Sequence, residues 1–155
     1  MKNEVNRAFM AKKKILFIAL MSVITLCAFA RGKQPMTFAK LPQNVQEAVL
    51  VNFTQDQIQL ITSEKTMPKH YKYVLHMEDG TKLECNNKAQ LRKVSNKNGI
   101  NEALVPEIIL NYVHETFPNA TITEYKRETM KQEVELNNKM DLVFNTKGQF
   151  LRIDD

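Results

Sequence analysis

Histidine, cysteine and glycine are scarce in this 155-residue chain, with three, two and four copies. Each scarcity closes a route to chemistry. His70, His76 and His114 stand apart, with no H-E-x-x-H spacing and no paired cysteines to complete a metal site. The glycines make neither a phosphate loop nor a dinucleotide-binding turn, and no G-x-S-x-G marks a nucleophilic serine. The turns MEDG and FNTKG lack the dense oxygen ligands of a calcium loop. Asn52-Phe53-Thr54 and Asn119-Ala120-Thr121 match the glycosylation sequon by pattern alone. The chain reads as a non-enzyme, with no cofactor and no metal expected.

The first thirty residues have a different character from the rest. Lys12, Lys13 and Lys14 precede an apolar run from Ile15 to Ala30 that ends in Ala28-Phe29-Ala30. A basic segment, an apolar segment and an A-x-A site are the three parts of a secretory signal peptide. The run is shorter than the ~20 residues that span a bilayer, so no stable membrane span is expected after cleavage. Cleavage is expected before Arg31, and Met10 gives an equally well-formed start. Cys27 follows Leu26, where a lipid-modified cysteine follows a small residue. The expected organisation is a signal peptide at 1–30, a short linker at 31–40 and a domain at 41–155, in a periplasmic or secreted protein.

Charge follows the same division. The whole chain is +5, but beyond residue 30 it has 17 basic against 16 acidic residues. The high isoelectric point therefore belongs to the leader, and nucleic acid is not an expected partner. Cys85 is the only cysteine left after cleavage, so no internal disulfide forms. It lies on the apolar side of an alternating segment, the usual place for a buried free thiol.

What the chain does contain is one phrase written twice. Pro42, Val45, Val49 and Phe53 correspond to Pro106, Ile109, Val113 and Phe117 at an offset of 64. Apolar residues at i, i+4 and i+8 behind a proline predict an amphipathic helix in each copy, and Pro118 stops the second. Alternating strands follow: YVLHMEDGTKLEC turns at Asp79-Gly80, a hairpin signal, and EVELNNKMDLVF turns near Asn138-Lys139. Here the offset is 59, which assigns five extra residues to a loop at 66–70. Each copy ends in a turn and a last strand, NNKAQLRKV or NTKGQFLRI. Gly148 suits a positive φ there, and Ala89 suits it less well. The fold class read from this pattern is α+β. Two tandem helix-plus-four-stranded antiparallel units, 41–95 and 104–155, are joined by 95–103, with both helices on one face of the sheet. Val49, Phe53, Val113 and Phe117 are expected to meet Leu75, Met77, Leu136 and Phe144.

The helix phrase, the P-N-A-x-I step at 118–122 and the endings DGTKLECNNKAQLRKV and VELNNKMDLVFNTKGQFLRID resemble PepSY-like proteins related to the β-lactamase-inhibitor protein. These are small exported bacterial proteins, and the resemblance covers 41–155. Ala89 and the NNK turn at 137–139 depart from the glycines of the pattern. The resemblance implies a binding or inhibitory module of two helix-plus-sheet copies, without enzyme activity. No residues match those that would grip a β-lactamase.

If the helices cover one face, alternation assigns Val74, His76, Glu78, Lys82, Glu84, Glu133, Glu135, Asp141 and Val143 to the other. Val74 and Val143 would be the dry centre of an interface rimmed by charge. Glu133, Glu135 and Asp141 fit the exposed side of a half-buried strand better than an acid/base group. The expected function is an exported, non-catalytic protein-binding module for an unknown partner in the cell envelope, with inhibition of a hydrolase as one form of it. The alternative is a periplasmic small-ligand or ion-binding protein.

Overall fold

The structure is a computed structural model describing residues 32–154. The expected signal peptide, with Met10, Cys27 and the cleavage site before Arg31, lies outside the described residues. Nine strands run β1 (Lys33–Met36), β2 (Ile58–Met67), β3 (His70–Met77), β4 (Lys82–Asn86), β5 (Leu91–Ser95), β6 (Ile122–Arg127), β7 (Lys131–Leu136), β8 (Asp141–Asn145) and β9 (Phe150–Asp154). Helix α1 (Gln43–Leu50) precedes β2, and helix α2 (Glu107–Thr116) precedes β6.

The strands form one sheet in the order of the sequence, from β1 at one edge to β9 at the other. This corrects the expectation of two tandem helix-plus-four-strand units. The joint is β5–β6, where Lys93 faces Lys126, Val94 faces Tyr125 and Ser95 faces Glu124 in antiparallel register. Two separate sheets would each expose a row of unpaired backbone groups at this point, and pairing removes both edges. The segment given as a linker also takes part. It supplies strand β1 and a 3-10 turn at Phe38–Lys40 that buries Phe38. Nor is 66–70 a separate loop. It is the tip of a lengthened β2–β3 hairpin, paired as far as Met67–His70 and turned through Lys69 at φ 64°.

Both helices start at a proline whose carbonyl accepts the first bonds. Val45 and Gln46 donate to Pro42 O at 2.9 and 3.0 Å, and Ile109 and Leu110 to Pro106 O at 2.9 and 3.1 Å. Helix α2 stops because Pro118 drives the preceding Phe117 out of the helical region, to φ −130° and ψ 62°. Val45 and Val49 of α1 and Ile109 and Val113 of α2 are buried in one cluster with Leu75, Met77, Leu83, Leu136, Leu142 and Phe144. Phe53 and Phe117 lie past the helix ends and only half-buried, at the margin of that cluster.

Candidate functional site

Strand alternation separates the core residues from a second face of the sheet. On β3 and β4, Val74 pairs with Glu84 and His76 with Lys82. On β7 and β8, Glu133 pairs with Val143 and Glu135 with Asp141. The sites named from the sequence therefore form two groups, and β5 and β6 lie between them with Lys93, Glu124 and Lys126. Glu78 is the exception. It sits one residue beyond the end of β3, exposed in the turn to β4.

The two valines are not an open apolar centre. Val74 is 3% exposed and Val143 1%, although neither belongs to the helix-side core cluster. Their partners across the ladders are Thr62 and Glu84 for Val74, and Glu133 and Arg152 for Val143. Lys72 bridges Glu64 at 3.2 Å and Glu84 at 3.9 Å, and Lys82 meets Glu84 at 3.2 Å. Farther along, Lys93 pairs with Glu124, Lys126 with Glu128 and with Glu133 at 3.0 Å, and Lys131 with Glu133. Lys139 closes on Glu135 at 2.7 Å and Arg152 on Asp154 at 2.6 Å. Long charged side chains on such a face can lay their aliphatic stems along apolar surface while their charged ends stay in water. Each exposed pair adds little stability. Together they hold side chains of high rotamer entropy in a defined grid.

The grid shifts the groups within it. Burial pushes the Glu133 carboxyl up, but hydrogen bonds from Lys131 and Lys126 outweigh it and leave the group below the usual carboxylate range. Hydrogen bonds to Glu128 and then Glu133 hold Lys126 firmly protonated. Asp141 moves the other way, raised by burial and then by Glu135, Glu133, Glu124 and Asp154.

Two shallow depressions lie along this face. One, of about 660 Å³, runs over Val143 and Leu151 and is edged by Arg92, Lys93, Lys126, Arg127, Lys131 and Arg152, with Glu84 and Glu128 as its acidic members. The other, of about 600 Å³, lies over His76, Lys82, Lys97, Glu124, Glu135 and Lys139. The first is basic. Its Lys93, Lys126, Lys131 and Arg152 are matched in ion pairs, whereas Arg92 and Arg127 enter no ion pair among the described residues. Sequence reasoning missed this basic stretch. The alternation that turns Val94 and Tyr125 into the core turns Lys93 and Lys126 to this face, but it does not bring Arg92 and Arg127 there.

The histidines and the thiol behave as scattered residues. His70 is exposed in the β2–β3 hairpin, and His114 on α2 meets Glu102 at 3.1 Å. Cys85 is buried in the core, and burial pushes its thiol up to about 11. Among the described residues no group of three or more His, Cys, Asp or Glu is placed to hold a metal ion. No helix there is long and apolar enough to cross a membrane.

Comparison with known proteins agrees with this arrangement. No curated protein matches. Solved structures do, including one from Bacteroides thetaiotaomicron described as a "putative calcium-regulated periplasmic protein". It is 26% identical with a TM-score of 0.72, over 79% of this chain and 97% of that one. One from Bacteroides vulgatus, described as a "putative periplasmic protein", is 25% identical with a TM-score of 0.72, over 81% of this chain and 99% of its own. A second from the same organism, 23% identical with a TM-score of 0.72 over 80% of this chain and 100% of its own, shares the fold. The family described as "Putative beta-lactamase-inhibitor-like, PepSY-like" matches residues 30–93 and, overlapping them, 71–152. The chain belongs to this PepSY-like family.

Proposed function

We infer that the protein is an exported, non-catalytic binding module of the bacterial envelope, and that the basic depression over Val143 and Leu151 receives an acidic segment of a partner protein. The observation that carries this reading is the pair Arg92 and Arg127. Both stand at the edge of that depression without ion-pair partners, beside a grid in which the other cations are matched. A guanidinium offers a planar fork for a carboxylate, and the paired neighbours lose little entropy on binding because they are already held. The periplasmic description of the similar structures supports export. The family description makes a hydrolase the first partner class to test.

The test uses Arg92→Glu together with Arg127→Glu, on a protein whose circular dichroism and melting match the wild type. Retention of a defined envelope partner should fall at least tenfold, and inhibition of any responding hydrolase should fall with it. Undiminished retention by the doubly substituted protein would dismiss the depression as the site. Substituting Val74 or Val143 would not serve, because both are buried and their replacement tests folding.

A second reading, an ion- or small-ligand-binding protein, draws on the calcium-regulated description of one similar structure. It also draws on Asp141, which four acidic neighbours hold above its usual range after burial has raised it. Millimolar calcium that raises the melting temperature of the wild type but not of Asp141→Asn would favour it over the first.

A further inference from the structure

On the helix side of the sheet, a cavity of about 250 Å³ separates α1 from β4, β5 and the 3-10 turn at Glu102–Leu104. Its wall is mainly apolar, from Val49, Phe53, Leu83, Cys85, Leu91 and Leu104, with Asn52 as its polar member. It opens past Ala48 and Ala103, both exposed.

The other end of the sheet shows what such a space accepts. Cys85 pairs with Leu91 just after a bulge at Glu84. Phe144 pairs with Phe150 just after a bulge at Val143, in the same arrangement 59 residues later. Ala48 has the place on α1 that Tyr112 has on α2. There the Tyr112 ring stacks on Phe150 with centroids 4.7 Å apart and meets Phe144 edge-on at 5.6 Å. Three rings around α2 thus correspond to a methyl, a thiol and an isobutyl group around α1. Backbone pairing is kept and ring volume is missing, which leaves an opening where a core is normally closed.

We propose that this cavity is a binding site for a small uncharged aromatic molecule of one or two fused rings. An engineered apolar cavity of about 150 Å³ is enough to take benzene, so the space here admits a ring as large as indole. Apolar walls select against charge, because a charged ligand would lose its hydration without a partner. Asn52 is the polar side chain on the wall that could meet a single N–H or O–H on the ring. The site stands apart from the outer face and does not depend on the binding reading given to it.

Indole and benzene are the probes. At ten times its dissociation constant, either should raise the melting temperature of the purified protein by roughly 5 °C. Ala48→Phe, which supplies the missing ring from α1, should abolish that response. Occupancy should also slow alkylation of Cys85 in the wild type. This second readout decides the matter if Ala48→Phe does not fold. A wild type indifferent to both probes, with Cys85 alkylation unchanged, would show a packing void and overturn the site. So would a response retained in full by a folded Ala48→Phe protein.

Discussion

Around α2, Gly148 turns at φ 82°, and a methyl group added there would collide with the side chain of Ile108. Around α1, the matching turn holds Ala89 at φ 59°, and Asn44 stands where Ile108 would. Asn44 spans the gap, donating to the carbonyl of Asn87 at 3.2 Å. One region brings helix and turn into direct apolar contact and needs glycine to do so. The other keeps them apart, joins them by a hydrogen bond and tolerates the methyl group. The lesson is that a turn's glycine answers to the packing across from it as well as to its own φ. Losing the glycine here goes together with losing the aromatic filling beside it.

Four measurements would break or sharpen this contrast. Phe144→Ala empties the fully buried centre of the α2 region and should cost about 3–5 kcal/mol in urea unfolding. Cys85→Ala, at the matching place beside the existing cavity, should cost only about 1 kcal/mol. A Phe144→Ala loss no larger than that of Cys85→Ala would show that the α2 region is not the tighter of the two. Next in size is Gly148→Ala, which combines a left-handed backbone with the clash on Ile108 and should cost about 2–4 kcal/mol.

Third is the pH dependence of the Cys85 thiol, raised from 9.0 to about 11 by burial and then by Glu84. Between those values the unfolded chain has released a proton that the folded chain still holds, so stability falls as pH rises. The stabilisation is complete below pH 9, and about 2 kcal/mol should be lost by pH 11. Cys85→Ala should remove that part of the decline, leaving the tyrosine contributions in place. The smallest effect is Ala89→Gly, which relieves a left-handed alanine and should stabilise by about 0.5–1 kcal/mol. A destabilised Ala89→Gly would mean that the methyl packs usefully after all.

Much of this contrast was written in the chain. The i, i+4, i+8 spacing behind Pro42 and Pro106 marks both helices, and alternation marks β3, β4, β7 and β8. Ala89 announced its awkward φ. What alternation does not carry is which strand lies beside which once a helix intervenes. The β5–β6 pairing was therefore invisible, because Val94 and Tyr125 would look the same in separate units. Strand β1 was missed because KQPM has no alternating apolar residues and holds a proline, which only an edge strand tolerates. The outer face was legible as a set of positions but not as a surface. Val74 and Val143 are buried between neighbouring strands, and reading that from sequence requires the strand order first.

That strand order also has a kinetic meaning. From β2 onward, most neighbouring strands are joined by a short turn, such as the four residues 78–81 between β3 and β4. These hairpins zip locally, and topologies of that kind fold quickly for their size. The joint between β5 and β6 must instead close over the 26 residues 96–121, which carry α2. Relative to a four-residue turn, that closure adds about 1.7 kcal/mol of chain entropy. From β2 onward the largest closure cost therefore falls on one event, the return of β6 to β5. Until that return, β5 and β6 each present an unpaired edge.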